Sequence, residues 1–242
     1  YIVWEIQKTA PRVIGFSCYL WNILKIYKLC RIIRRVLPGV MIVLGGPEVS
    51  SIAREVLRAC PEADVIVRGE GESVFPSVVK ALLEKKSLLS GIKGITYRRA
   101  GKITENPGQP LVPDLDVIPS VYLEGSVNVS NREVCLETQR GCVYGCAFCY
   151  YNKGSKSWRK FSVPRVKKEL AYLLSHRNTT IYLMDPVFNI DLKRAKDICH
   201  FIIRHNKFNI PFHTEIQAEL VDGDLAVLLK KANMRYVEVG LQ

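Results

Sequence analysis

Apolar residues along the chain fall into two alternating rhythms. Residues 13–17 (VIGFS) and 40–44 (VMIVL) are short continuous apolar runs, the pattern of strands buried on both faces. Between them, residues 21–37 set Ile23, Ile26, Leu29, Cys30, Ile33 and Leu37 on one helical face and Lys28, Arg31 and Arg35 on the other. Pro38-Gly39 stops that helix. The strand at 40–44 runs into Gly45-Gly46-Pro47, a helix follows at 50–60, then a strand and glycine turn at 64–72 and a helix near 73–86. Alternation at this spacing predicts right-handed crossovers and a parallel sheet covered on both sides.

The rhythm breaks at residues 94–107, where two short strands around Ala100-Gly101 predict a hairpin. A proline-rich stretch at 107–119 reads as a linker. Alternation then resumes: a strand near 133–138, helix 163–176, strand 181–185, helix 191–206, strand 212–216, helix 222–231 and strand 236–240. The predicted fold class is α/β. Residues 1–92 form a doubly wound, Rossmann-like parallel sheet, 93–130 a hairpin and linker, and 131–242 a partial (β/α) barrel. Both ends read as cut, since 1–9 resembles a helix whose preceding strand is missing and 236–240 a strand with nothing to cover it.

Composition adds bounds. With 48% hydrophobic and 24% charged residues the chain is that of a globular protein, and its aliphatic runs are too short to span a bilayer, so no membrane is expected. Five of the eight cysteines (Cys18, Cys30, Cys60, Cys135, Cys199) are scattered among apolar neighbours. That suits buried thiols in a reducing, cytoplasmic compartment, where clustered cysteines hold metal more often than they form disulfides. The net charge of +12 is spread over both halves. One run is distinct: Arg140, Lys153, Lys156, Arg159, Lys160, Arg165, Lys167 and Lys168, with no acid between Gln139 and Lys168. It reads equally as a solvated helix face or as a local field attracting anions.

The remaining cysteines crowd into residues 140–150 (RGCVYGCAFCY) as Cys142, Cys146 and Cys149. Structural zinc takes four ligands, usually in two separated pairs, and no second pair is present. A four-iron cluster normally takes four thiolates, so three would leave one iron open, as substrate binding requires and simple electron transfer does not. The loop lies at the carboxyl end of the first strand of a βα series, where such folds place their chemistry.

Cys142-x-x-x-Cys146-x-x-Cys149, with Phe148 before the last cysteine, resembles the signature of the radical S-adenosylmethionine (SAM) superfamily. Residues 15–22 (GFSCYLWN), 44–50 (LGGPEVS) and 67–72 (VRGEGE) resemble the cobalamin-binding domain that precedes one branch of that superfamily. The resemblance implies a [4Fe-4S] cluster on Cys142, Cys146 and Cys149, reductive cleavage of SAM to a 5′-deoxyadenosyl radical, and hydrogen removal from substrate. It implies that Phe148 meets the adenine, with a core aromatic as the alternative. Asp185 would face the methionine amine, or merely close the turn before the next helix. Glu215 and Gln242 match positions that face SAM, and Glu238 does so less well. The alternation FHTEI does not tell which face Glu215 takes.

For cobalamin the implied residues are Ser17, Gly45 and Gly46, near the corrin's nucleotide tail. The alternative for the glycines is the tight turn any doubly wound sheet needs. The family's cobalt-ligating histidine would lie upstream of Tyr1, and all four histidines (His176, His200, His205, His213) fall in the second half. Three functions follow: a cobalamin-dependent radical SAM enzyme with possible methyl transfer to carbon, a radical SAM enzyme whose first domain binds no cobalamin, or a zinc-stabilised RNA-binding module. The expected partners are a small-molecule substrate and an electron donor such as flavodoxin or ferredoxin. Nucleic acid is disfavoured, since no aromatic-studded reading strand is present.

Overall fold

The computed structural model describes residues 2–84, 89–149, 151 and 157–240. They divide into two compact units, Tyr1–Val112 and Pro113–Gln242. Among the described residues no helix is long and apolar enough to cross a membrane.

The first unit runs α1 (Ile2–Thr9), β1 (Val13–Ser17), α2 (Ile23–Val36), β2 (Met41–Gly45), α3 (Pro47–Ser50), α4 (Ala53–Ala59), β3 (Val65–Val67), α5 (Gly71–Glu84), β4 (Ile95–Arg99) and β5 (Lys102–Glu105). The five strands pair in chain order, with β1, β2 and β3 parallel. Alternation along β2 sends Ile42 and Leu44 into one core with Ile26, Cys30 and Ile33 of α2 and Val56 and Leu57 of α4. It sends Val43 into a second core with Val65, Val67, Val74 and Val78. Helices therefore cover both faces, as the apolar runs predicted. The helical stripe of residues 21–37 buries Ile23, Ile26, Cys30 and Ile33, and its basic face is exposed. Arg34 closes the end of α2: it donates to Pro38 O (2.8 Å), Val40 O (2.7 Å), Glu62 O (2.7 Å) and Asp64 Oδ2 (2.7 Å).

The predicted hairpin forms, with Ala100 and Gly101 both at positive φ, the geometry a two-residue turn between twisted strands prefers. It does not stand with the linker. β4 pairs antiparallel with β3, and Ile95 and Tyr97 enter the second core, so the hairpin completes the first sheet. The later part of the predicted linker belongs to the second unit, whose core takes Leu115 and Val129. Ser162 N–H donates to Asp116 Oδ1 (2.9 Å), and Arg165 reaches Ile118 O (2.9 Å).

The second unit runs β6 (Glu133–Leu136), β7 (Gln139–Arg140), β8 (Arg159–Lys160), α6 (Val163–Leu174), β9 (Thr180–Leu183), α7 (Leu192–His205), β10 (Phe212–Ile216), α8 (Gly223–Lys231) and β11 (Met234–Val239). β6, β9, β10 and β11 form one parallel sheet with successive strands adjacent, the winding of a barrel. Each helix after β8 begins with a side-chain cap: Ser162, Asp191 and Asp222 accept from the backbone N–H three residues on. Leu136, Ile181, Leu183 and Phe212 face the helices. The other face carries Cys135, Tyr182, His213 and Tyr236 in one register row across the strands. β11 slips by one residue against β10: Phe212 pairs with Met234, but His213 pairs with Tyr236, skipping Arg235.

Candidate functional site

The cysteine loop hangs from a short antiparallel ribbon in which Gln139 pairs with Lys160 and Arg140 with Arg159. Gly141 has φ +88°, and a Cβ there would lie 1.6 Å from Ser157 O, so only glycine lets the two ends of the loop pass this closely. Arg140 is locked on Glu137 by three hydrogen bonds of 2.8–3.2 Å.

Beyond the ribbon, Cys142, Cys146, Phe148 and Cys149 line a cavity of about 410 Å³ together with Pro186, Val187, Glu215, Gln217 and Glu238. The expected cysteines and Glu215 are thus brought to one place at the carboxyl ends of β9, β10 and β11. Phe148 is 74% exposed, so it is a cavity wall and not a core aromatic. Gln242 lies outside the described residues. The face of β10 is now defined: Phe212 and Thr214 are buried, and Glu215 stands on the open side.

Glu215 pairs in register with Glu238. Two neighbouring carboxylates repel, and each has a partner from a neighbouring strand. Tyr182 Oη donates to Glu215 Oε1 (2.7 Å), and His213 Nε2 meets Glu238 Oε1 (2.8 Å). His213 is stacked on Tyr182, with ring centroids 4.3 Å apart. Burial and then the bond to Glu215 raise the Tyr182 phenol well above its usual range.

None of the three loop cysteines forms a disulfide. Cys149 N–H donates to Cys146 O (3.1 Å), making a turn between two of them, and Tyr151 N–H donates to Cys149 Sγ (3.4 Å). Among the described residues no three Cys, His, Asp or Glu side chains are gathered at ligand distance. The loop supplies three soft donors on one cavity. That donor set suits an iron–sulfur cluster with an open iron better than four-ligand structural zinc.

Asp185 requires a correction. It does not face the cavity: it is fully buried. Oδ1 accepts from Thr138 N–H (2.8 Å) and Gln139 N–H (3.0 Å), and Oδ2 accepts from the Thr138 hydroxyl. Burial pushes its carboxyl up to about 6, against the pull of those hydrogen bonds and of Arg194. Fully buried, bonded to the strand exit through both oxygens and absent from the cavity lining, it is not presented to an ammonium there. The sequence reading missed Thr138, Gln139, Arg194 and the buried Asn189. Asn189 exchanges two 2.9 Å hydrogen bonds with the Gln217 backbone and ties the loop after β9 to the loop after β10.

Among the described residues of the basic run, four are ion-paired. Arg140 meets Glu137, Lys160 meets Asp191 (2.9 Å), Arg165 meets Glu169 (3.2 Å) and Lys167 meets Asp197 (2.7 Å). Glu137 and Glu169 flank the run in sequence and Asp191 and Asp197 come from elsewhere in the chain, which favours the reading as a solvated, ion-paired surface.

In the first unit Ser17, Gly45 and Gly46 line a cavity of about 570 Å³ at the carboxyl ends of β1, β2 and β3, with Gly15, Gly69 and Gly71 beside them. Gly46 has φ +102°, and a Cβ there would lie 2.6 Å from Cys18 O, so the turn itself demands this glycine. At Gly45 the nearest atom to a Cβ is Val67 O at 3.7 Å, an ordinary contact. A glycine-walled cavity with the exposed Ser17 at its edge fits a ligand that approaches backbone closely, such as the nucleotide tail of cobalamin.

Residues 1–79 match the B12 binding domain family and residues 136–242 the radical SAM superfamily. An uncharacterized methyltransferase of Pyrococcus horikoshii is 29% identical over 98% of this chain and 53% of its own length. The cobalamin-dependent radical SAM methyltransferase TokK of Streptomyces tokunonensis is 29% identical over 83% of this chain and 31% of its own length. The chain therefore spans about half or less of the relatives it matches. The radical SAM methyltransferase TsrM of Kitasatospora setae, solved with tryptophan and a SAM analogue, superposes with a TM-score of 0.78 at 18% identity, covering 99% of this chain and 50% of that one. That likeness concerns the fold. With the two domain matches in chain order and the three cysteines on one cavity, the chain belongs to the radical SAM superfamily, in the group whose radical SAM domain follows a B12 binding domain.

Proposed function

We propose that this chain is the cofactor-holding part of a cobalamin-dependent radical SAM enzyme that transfers a methyl group to carbon of a small molecule. One observation carries the reading: three thiols and two carboxylates line a single cavity at the carboxyl ends of a parallel sheet wound as a barrel. Cys142, Cys146 and Cys149 would hold the [4Fe-4S] cluster, and Phe148, Glu215 and Gln242 would meet SAM. Ser17, Gly45 and Gly46 would hold the nucleotide tail of cobalamin. When bound, the cluster supplies the electron that splits SAM into methionine and a 5′-deoxyadenosyl radical, and cobalamin supplies a carrier for a methyl group.

The chain's own residues bind, orient and exclude water. The Phe148 ring gives an apolar wall for a flat base. Glu215, held by Tyr182, presents a carboxylate that accepts hydroxyl donors. An acidic one-electron donor such as flavodoxin or ferredoxin is the expected partner. Anaerobic reconstitution of the full-length protein tests the proposal. The expected result is four irons and four sulfides per chain and formation of 5′-deoxyadenosine; a zinc-bound, iron-free protein overturns it. A reconstituted protein that retains no corrin yet still cleaves SAM overturns the cobalamin part of the proposal and leaves the radical SAM part standing.

A further inference from the structure

We infer that Asp185, Thr138, Gln139 and Arg194 form a buried positioning unit that sets both ends of the cysteine loop, an inference that rests on reading that loop as the cluster site. The chain leaves the β6 ladder at Leu136, and the backbone groups that follow are taken by side chains. Asp185 holds the N–H groups of Thr138 and Gln139 and the Thr138 hydroxyl. Arg194 Nη2 donates to Thr138 O (2.9 Å), which also accepts from Phe161 N–H (3.1 Å). The Gln139 side chain then bridges two further segments. Its Nε2 donates to Val187 O (2.6 Å), and its Oε1 accepts from Trp158 Nε1 (3.1 Å).

One amide thereby joins the entry of the loop, its exit 19 residues later, and the strand end that supplies the cavity wall at Pro186 and Val187. Thr138, Gln139, Asp185 and Arg194 are all buried. Ordinary strand exits at the carboxyl end of a sheet are satisfied by water or by turn residues. Burying a carboxylate and a guanidinium there carries a desolvation cost that a simple turn does not need. The arrangement makes sense if the exit must be rigid.

Cys142, Cys146 and Cys149 share one cavity wall, on the loop whose ends this unit fixes. Fixing both ends of a loop in advance lowers the entropy lost when it closes on the metal. Groups hydrogen-bonded directly to metal ligands typically contribute about 10–100-fold in metal affinity, and this unit, one step further back along the loop, is expected to act at the lower end of that range.

The test uses the full-length protein, reconstituted anaerobically, as wild type and as Asp185→Asn, Thr138→Val, Thr138→Ser and Trp158→Phe. Ile198→Val, a change in the same core away from the loop, serves as control. The readouts are iron and sulfide per chain, the rate of iron loss to a chelator, and the thermal midpoint of the apo-protein. Asp185→Asn and Thr138→Val are expected to lose iron about tenfold faster than wild type, and Trp158→Phe a few-fold faster. Thr138→Ser, which keeps the hydroxyl on Asp185, restores wild-type retention. Ile198→Val lowers the apo midpoint without changing iron loss. Variants that lower the midpoint but release iron at the wild-type rate overturn the positioning role while leaving the cluster in place. If Asp185→Asn fails to fold, Thr138→Val and Trp158→Phe decide in the same way. A wild type that takes up no iron overturns both the cluster reading and this one.

Discussion

The two cavities are made of different material. In the one in the first unit, glycines at 15, 45, 46, 69 and 71 bring backbone to the wall, with a serine at its edge and Phe16, Tyr19 and Phe75 among the side chains that complete it. Its shape is set by the sheet and its turns before any ligand arrives. The one in the second unit is made of side chains, three thiols and two carboxylates, supported by a buried polar network. A cavity where glycines admit backbone selects by fit. One lined by thiols and carboxylates selects by chemistry.

Removing the chemistry from the second cavity is the largest expected effect. Any one of Cys142→Ala, Cys146→Ala or Cys149→Ala should leave the folded chain without a stable four-iron cluster and reduce 5′-deoxyadenosine to background. Iron retained at the wild-type level in all three would break the comparison outright. Changing the wall of the first cavity should act on folding instead. Gly46→Ala meets the Cys18 backbone from a strained φ and should cost about 3 kcal/mol, whereas Gly45→Ala should stay within about 0.5 kcal/mol. Chemical denaturation of the two variants side by side measures this; equal losses would mean that the turn does not dictate the glycine.

The buried support of the second cavity has a pH signature. Asp185 titrates near 6 when folded, against about 3.9 unfolded. The folded protein therefore binds the proton more readily, so this group favours folding most below about pH 4, and that contribution is withdrawn as pH rises through 6. Asp191 acts oppositely. Lys160 holds its carboxyl low, so its contribution is present above about pH 4 and lost in stronger acid. Thermal midpoints of wild type and Asp185→Asn between pH 4 and 7 separate the two. Relative to the variant, wild type should gain on the order of 2 kcal/mol toward pH 4. A constant gap would place the Asp185 carboxyl at its ordinary value. The smallest effect is expected at Tyr182→Phe, which removes the donor on Glu215 and should weaken SAM binding by about 1 kcal/mol, read by equilibrium dialysis.

Much of this was legible from patterning, because strands and helices announce themselves over a few residues. Ile42, Val43 and Leu44 form a continuous apolar run because the strand is buried on both sides. Ile23, Ile26, Cys30 and Ile33 recur at helical spacing because one side of the helix packs. The cysteine loop was legible for the same reason: its spacing is local.

What escaped is long-range. Asp185 meets partners 46 and 47 residues away, and nothing near it in sequence distinguishes a carboxylate turned inward from one aimed at a ligand. The hairpin was seen, but its pairing with β3 was not, because edge pairing leaves no periodic mark. The face of β10 was ambiguous because Phe212 and Thr214 alternate with His213 and Glu215, so both faces carry a ring and a polar group. The basic run lacked acids only along the chain; folding brings Asp191 and Asp197 to it.

The skipped Arg235 has an outcome larger than its size. Counted by twos from the buried Met234, the aliphatic Val237 would have stood beside Glu215 and Glu238 would have turned toward the helices. One residue of phase slip exchanges them. A single irregular hydrogen-bond step thereby sets whether that wall is greasy or anionic, and with it which kind of molecule the enclosure can welcome.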